Sequence, residues 1–100
     1  MQAKASEKDL ERRFVEMVTR YGGIAYKMQN VYQSGFPDRV VFMPGGGVYF
    51  VEFKSGGGTM SRMQVYVREK LTRMGYRYYV VDSRSKLAEV VKEIVGLCVG

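Results

Sequence analysis

The sequence predicts an α/β fold in which helices flank a mixed sheet of four strands. Helical spacing of apolar residues marks three segments, near the start, near the middle and at the end of the chain. The second and third strand-like runs flank a Pro-Gly-Gly-Gly turn and predict an antiparallel hairpin, whereas the later strand, helix and strand predict a parallel crossover. The element order is therefore α-β-β-β-α-β-α, with runs of strand-forming residues at 24–28, 39–43, 48–54 and 77–82.

The first helix begins after Ser6, a good N-cap, with acidic residues in its first turn where the helix dipole favours them. Gly22 and Gly23 end it. Glu11 falls on the edge of its apolar stripe, so it is either a solvated border residue or a ligand that faces a cleft. The predicted core stripe consists of Leu10, Phe14, Met17, Val18 and Tyr21.

The second helix opens with Ser61-x-x-Gln64, a capping box in which Gln64 has a structural role of its own. Basic residues crowd its other faces and its exit, which indicates either a solvated surface or a contact with a polyanion. Its predicted core stripe is Met63, Tyr66, Val67, Leu71 and Met74. Ser83 or Ser85 caps the last helix, whose stripe is Leu87, Val90, Val91 and Ile94.

Length and composition limit the classes of function. One hundred residues make one domain, 1–100, and a formal charge of +6 favours a polyanionic partner, although many small proteins are basic without binding nucleic acid. The chain has no histidine, which excludes Ser-His-Asp triads, Cys-His pairs and His-ligated zinc. Its single Cys98 excludes a disulfide framework. Without a membrane-length apolar run or a signal peptide, we expect a cytoplasmic protein.

Two carboxylates and one lysine form the candidate site. Side chains alternate along a strand, so Glu52 and Lys54 point to the same face of the third strand. Asp38 follows Pro37, which suits the first residues of a strand. If the next two strands form a hairpin, Asp38 lies beside Glu52, and such a carboxylate pair suits Mg²⁺ or Mn²⁺.

Pro37-Asp38 followed by Glu52-x-Lys54 resembles the signature of the PD-(D/E)XK nuclease superfamily. With Gly35 before Pro37, and with Ser61-x-x-Gln64, the chain resembles the VRR-NUC branch in the stand-alone form found in phages and bacteria. The resemblance runs from about residue 6 to 95. It implies a restriction-endonuclease-like α-β-β-β-α-β core, with a mixed four-stranded sheet flanked by helices, plus a C-terminal helix.

The resemblance also implies roles for individual residues. It favours Glu11 as a ligand, since the family carries a helix glutamate at the matching position. Lys54 would orient or deprotonate the attacking water, or offset charge on the phosphate, and Gln64 would position water or a ligand. Lys27, Arg39 and Arg62 are candidate DNA contacts. The implied metal ligands are Asp38, Glu52, Glu11, directly or through water, and the Phe53 backbone carbonyl.

The implied function is a structure-specific DNA endonuclease that needs Mg²⁺ or Mn²⁺ and hydrolyses phosphodiester bonds in branched DNA, including Holliday junctions. We expect it to work as a homodimer in a bacterial cell or a phage-infected host. One alternative is a non-catalytic, basic DNA-binding module that has kept the fold. Another is a small regulatory or structural phage protein in which the two motifs are coincidental.

Overall fold

The computed structural model describes residues 5–28 and 35–99, and their element order agrees with the order that the sequence predicts. Strands are slightly shorter than predicted, by about one residue at their ends. The elements are α1 Glu7–Arg20, β1 Ile24–Lys27, β2 Arg39–Phe42, β3 Val48–Phe53, α2 Arg62–Arg73, β4 Arg77–Val81 and α3 Arg84–Val99.

The four strands form one mixed sheet in the order β1-β2-β3-β4. The pairs β1–β2 and β2–β3 are antiparallel, and β3–β4 is parallel with α2 as the connection. The predicted hairpin is present, and Gly45 and Gly46 both take positive φ in its turn, which glycine adopts without steric cost. The predicted fold class, a mixed four-stranded sheet flanked by helices with a further C-terminal helix, is confirmed.

Polar side chains fix the starts of the helices as the sequence predicts. The Ser6 hydroxyl accepts a hydrogen bond from the Asp9 amide at 3.1 Å. Ser83, and not Ser85, caps α3, since its hydroxyl accepts from the Lys86 amide at 3.1 Å. Each cap satisfies a backbone donor that has no partner within its helix.

The hydrophobic core lies between one face of the sheet and the two helices α1 and α3. The rings of Phe14 and Phe53 meet edge to face, with centroids 5.5 Å apart. All four residues of the predicted α3 stripe are buried in this layer. The layer covers one face of β3, so Glu52 on the other face of the strand lies toward α2. The cluster includes Leu10, Val18, Val41, Val51, Val81, Leu87, Val90, Val91 and Ile94.

The apolar stripes of α1 and α2 are narrower than predicted. Tyr21 is 51% exposed, so its assignment to the core was wrong. On α2 only Val67 and Leu71 are buried, and three predicted core residues, Met63, Tyr66 and Met74, are exposed. The reason is that α2 packs mainly against the single strand β4, which covers a thin strip of the helix. No helix in the described part of the chain is long and apolar enough to cross a membrane.

Candidate active site

Asp38 stands at the entry to β2 and is held between two neighbouring strands. Its carbonyl accepts from the Met28 amide at 2.9 Å, and its Oδ2 accepts from the Phe53 amide at 2.8 Å. Arg39 pairs with Val51 in the β2–β3 ladder. One residue further along this antiparallel register, Asp38 lies opposite Glu52, on the face turned away from α1 and α3. The predicted meeting of the two carboxylates is therefore present.

Gly35 and Pro37 set the path of the chain into Asp38. Gly35 has φ +102, and a Cβ at this position would lie 2.7 Å from the carbonyl carbon and oxygen of Met63. Pro37 is buried. The glycine thus allows the segment to lie directly against the first turn of α2, which brings the Asp38 segment and that helix end together.

Among the residues that the structure describes, Glu52 is the one charged residue that is buried, with 2% of its surface exposed. One carboxylate oxygen, Oε2, accepts a short hydrogen bond from Gln64 Nε2. Burial, and then the adjacent Asp38 carboxylate, raise the pKa of Glu52 from 4.5 to about 8, against the opposite effect of the Lys54 ammonium. Glu52 therefore holds its proton near neutral pH unless a cation compensates its charge.

Gln64 carries out two structural tasks at once. The backbone N–H of Gln64 donates to the Ser61 hydroxyl at 3.1 Å. Its side-chain oxygen accepts from the backbone N–H of Ser61 at 2.9 Å, which completes the predicted capping box. The Nε2 that remains donates to Glu52. Because the cap fixes the orientation of the Gln64 side-chain amide, the start of α2 presents a hydrogen-bond donor to the buried Glu52 carboxylate.

Lys54 follows the last residue of β3, and its backbone is held by the neighbouring strand. Its amide donates to the Val81 carbonyl at 3.0 Å, and its side chain is half-buried. The adjacent turn folds beside the lysine stem: Gly58 donates to the Ser55 carbonyl at 2.8 Å, and a Cβ on Gly58 would lie 3.7 Å from Lys54 Cβ. The ammonium is close enough to Glu52 to favour its ionised form.

Glu11 lies in an ion-pair cluster on the opposite face of the sheet. Its Oε2 accepts from Arg39 Nε at 2.7 Å and lies 3.4 Å from Lys27 Nζ. Arg39 also donates to the Ala25 carbonyl at 2.8 Å. A predicted metal ligand, Glu11, and two predicted DNA contacts, Lys27 and Arg39, thus lie together along a cleft of about 400 Å³. Arg62, the third candidate DNA contact, is exposed at the first position of α2.

The donor set suits a hard cation with few protein ligands. Among the side chains that the structure describes, no three from Asp, Glu and Cys come together as a metal cluster. Asp38 and Glu52 remain as a pair, which fits Mg²⁺ or Mn²⁺ because such ions keep several waters and bind through one or two carboxylates. The ligand roles of Glu11, held by Arg39, and of the Phe53 carbonyl stay predictions.

Sequence reasoning missed two residues beside the site. Glu7 Oε1 accepts from the Ser55 amide at 3.2 Å although the residue is exposed, and its position one turn before Glu11 on α1 was the available signal. Tyr78 shares the face of Glu52, as alternation along β4 indicates. Its hydroxyl is buried without a hydrogen-bond partner among the described residues. Burial, and then the charges of Glu52 and Asp38, raise the pKa of Tyr78.

Pro37-Asp38 at the start of β2 and Glu52-x-Lys54 at the end of β3 lie side by side, as the resemblance to the PD-(D/E)XK class predicts. No family model matches the chain. The chain is 36% identical over 78 residues to "Putative nuclease p44" of Acyrthosiphon pisum secondary endosymbiont phage 1. The aligned region covers 78% of this chain and 84% of that protein. A solved structure described as "VRR_NUC domain" has the same fold, with a TM-score of 0.81 and 24% identity over 88% of this chain and 97% of its own. The chain therefore belongs to the same family as this phage protein and has the fold of a VRR-NUC domain.

Proposed function

We propose that the protein is a divalent-metal-dependent deoxyribonuclease, a structure-specific endonuclease for branched DNA. The observation that carries the proposal is the buried Glu52, which lies opposite Asp38, accepts from Gln64 and is close to the Lys54 ammonium. The phage relative named "Putative nuclease p44" supports the same chemistry. A buried acid beside a second acid is costly, and a bound cation would offset that cost.

Mg²⁺ or Mn²⁺ would bind between Asp38 and Glu52, with the Phe53 carbonyl and Glu11 as further proposed ligands. When bound, such an ion lowers the pKa of a coordinated water and neutralises phosphate charge. The amide of Phe53 fixes one oxygen of Asp38 beside Glu52. A direct bond from Glu11 would require Arg39 to move from its position 2.7 Å away.

The protein's own groups would prepare the substrate and the water. Lys54 would orient the attacking water and accept its proton, or offset charge on the phosphate. Gln64, whose amide is fixed by the helix cap, would hold Glu52 in place. Lys27 and Arg39, which lie with Glu11 on the opposite face of the sheet, would be further contacts to the DNA backbone, in addition to Arg62 at the start of α2.

Two substitutions test the site, because they remove different functions around the same ion. Asp38→Asn removes a ligand charge, so we expect weak Mn²⁺ binding and no cleavage, with DNA binding retained. Lys54→Ala removes no ligand, so Mn²⁺ should still bind while turnover falls by at least about 100-fold. Calorimetry measures the first effect, and cleavage of a panel of junction, flap, nicked and plain duplex DNA measures the second. Lys92→Ala, an exposed lysine on α3, is the matched control.

The same experiment separates the proposal from a non-catalytic DNA-binding module. A parent protein that binds the DNA panel but cuts none of it with either metal would favour the module. If folded Asp38→Asn binds Mn²⁺ as tightly as the parent, or folded Lys54→Ala cuts at the parental rate, the assignment of the site is wrong. Circular dichroism of each variant checks that it is folded.

We also propose that the active form is a homodimer. A four-way junction presents two symmetry-related phosphates, so paired cuts need two sites related by a two-fold axis. On the Glu52 side of the sheet, β1 and β2 present an exposed apolar patch, with Ile24 63%, Tyr26 62% and Phe42 46% exposed. Such patches mark protein contacts. Light scattering should give twice the 11.4 kDa of one chain, and a mass of one chain both free and with junction DNA would contradict the dimer.

A further inference from the structure

A second basic cleft lies outside the candidate site, between α2 and β4. Its volume is about 570 Å³. Three arginines line it, Arg68 and Arg73 from the helix and Arg77 from the start of the strand, with a single acid, Glu69. Three tyrosines and one threonine form the rest of its wall. The surface therefore carries a net positive charge and aromatic groups, which is the composition of many nucleic-acid contacts.

The arginines of this cleft have no ion-pair partner in the part of the chain that the structure describes. The ion pairs there are formed by Arg12, Lys27 and Arg39, and none involves Arg68, Arg73 or Arg77. All three side chains are exposed. Their charge is thus available to a ligand, in contrast with Arg39, which Glu11 already compensates.

The cleft begins about one helical turn along α2 from the candidate site. Arg68 follows Gln64 by four residues, so both lie on one face of the helix, about 6 Å apart along its axis. The Arg68 guanidinium reaches back toward the start of the helix, where it lies 3.7 Å from Met60 Sδ. The charge of Arg68 therefore extends toward the helix end that holds Glu52.

The β4 side of the cleft leads to the same place. Glu52 pairs with Val80, and Tyr78 pairs with Phe50, so Tyr78 lies two residues, or about 7 Å, from the level of Glu52 on the same face. Arg77 lies one residue further away, and by the same alternation its side chain leaves β4 on the other face, so it borders the cleft at the outer edge of the sheet. Tyr76 is 44% exposed, and its ring packs edge to face on Phe50 with centroids 5.5 Å apart, which holds it at the far end.

We propose that this cleft binds the sugar-phosphate backbone of the DNA strand that leads into the site, roughly two to three nucleotides from the scissile phosphate, given a rise of about 3.4 Å per nucleotide. The inference rests on the proposed function for the identity of the ligand. Arg68 and Arg77 contact successive phosphates, and Tyr76 offers a flat surface to a sugar or an unpaired base. The simpler interpretation, three solvated arginines without a ligand, predicts no effect of their removal.

The test is a binding measurement that does not need cleavage. Fluorescence anisotropy of labelled junction DNA, with chelator present, compares the parent with the double variant Arg68→Gln/Arg77→Gln over a salt series. We expect affinity to fall at least about tenfold, and the slope of log affinity against log salt to decrease in size by about two, one for each lost phosphate contact. The matched control is Arg13→Gln/Arg20→Gln, two exposed arginines of α1.

The outcomes separate this inference from the proposed nuclease. If the double variant keeps the parental slope and affinity, or loses no more than the control, the cleft is not a DNA contact, even where the parent cuts DNA. If the double variant shows the expected loss but the parent never cuts, the cleft is supported and the nuclease is not. If circular dichroism shows that the double variant is unfolded, the single variants Arg68→Gln and Arg77→Gln give the same decision, since each is expected to lose about one unit of slope.

Discussion

At the scale of the single residue, Glu52 connects the fold to the proposed chemistry. Its neighbours on the strand, Val51 and Phe53, belong to the core, so the backbone at Glu52 cannot shift without disturbing that layer. Burial and Asp38 favour its protonated form, and the cation that we propose would favour the ionised form. The residue is therefore unfavourable for the metal-free fold at alkaline pH and favourable for the metal-bound one.

Substitution of Glu52 by Gln tests this conflict. A pKa raised from 4.5 to about 8 means that the folded state binds the proton more tightly than the unfolded state. The resulting stabilisation is fully present below pH 4.5 and is lost as pH rises through about 8. With chelator present, Glu52→Gln should match the parent at pH 4.5 and exceed its unfolding free energy by on the order of a few kcal/mol at pH 8.5.

Urea unfolding at several pH values measures this difference. Glu89→Gln, at an exposed position of α3, is the control and should show no such trend. Excess Mn²⁺ should stabilise the parent more than Glu52→Gln, since the substitution removes one of the two proposed carboxylate ligands. A Gln variant that is less stable than the parent at pH 8.5 without metal would count against a protonated, buried Glu52.

Gly35 gives a second prediction at this scale, with Gly57 as its matched control. Both glycines have positive φ, +102 and +88, but an added Cβ meets the Met63 backbone at 2.7 Å only at Gly35 and meets nothing within 4 Å at Gly57. Gly57→Ala should cost about 1 to 2 kcal/mol for its backbone conformation. Gly35→Ala should cost at least about 1 kcal/mol more, because backbone atoms must move. Equal costs in thermal unfolding would contradict the close approach of Gly35 to α2.

At the scale of the element, the first turn of α2 links helix stability to the site. Ser61 and Gln64 satisfy each other's backbone amides, and the same Gln64 side chain donates to Glu52. A helix start thus serves as a support for a buried carboxylate. Since Ser61 takes part only in the cap, whereas Gln64 also contacts Glu52, mutations can separate the effect on helix stability from the effect on the site.

Ser61→Ala and Gln64→Ala should weaken the helix to a similar extent but affect the site differently. Ser61→Ala removes the cap alone, at about 1 kcal/mol. Gln64→Ala also leaves Glu52 without its donor, so we expect Mn²⁺ affinity and cleavage to fall by about 10- to 100-fold. Calorimetry and initial cleavage rates measure the two effects. Equal site losses in both variants would mean that Gln64 acts on the site only through the helix.

At the scale of the whole molecule, charge is distributed by sign. The buried site carries acids, while the surface of α2 and the start of β4 carry arginines, and the chain has a formal charge of +6. This arrangement attracts a polyanion to a site that alone would repel it. Binding should then depend on charge and on DNA shape more than on base sequence.

The expected salt dependence follows from that distribution. If six or more phosphates are contacted, affinity for junction DNA should fall by about three orders of magnitude between 50 and 200 mM salt. Anisotropy titrations on two junctions of unrelated sequence measure both salt dependence and sequence preference. An affinity that is independent of salt, or a strong preference for one sequence, would contradict a backbone-directed contact.

The sequence by itself determined the order of the elements, the caps at Ser6 and Ser61, and the meeting of Asp38 with Glu52. These features depend on local propensity, on turn chemistry and on the two-residue period of strands, which act over a few residues or across one hairpin. The α3 stripe was predictable for the same reason, because it is buried against the sheet along its whole length.

Only the tertiary structure decided which elements cover which faces. It paired Glu11 with Arg39, set Gly35 against Met63, directed Gln64 to Glu52, and left Met63 and Tyr66 of α2 exposed. Glu11 and Arg39 are 28 residues apart, and their contact depends on how α1 crosses the sheet. Periodicity marks an apolar face, but the width of the buried strip depends on the area that the facing element covers.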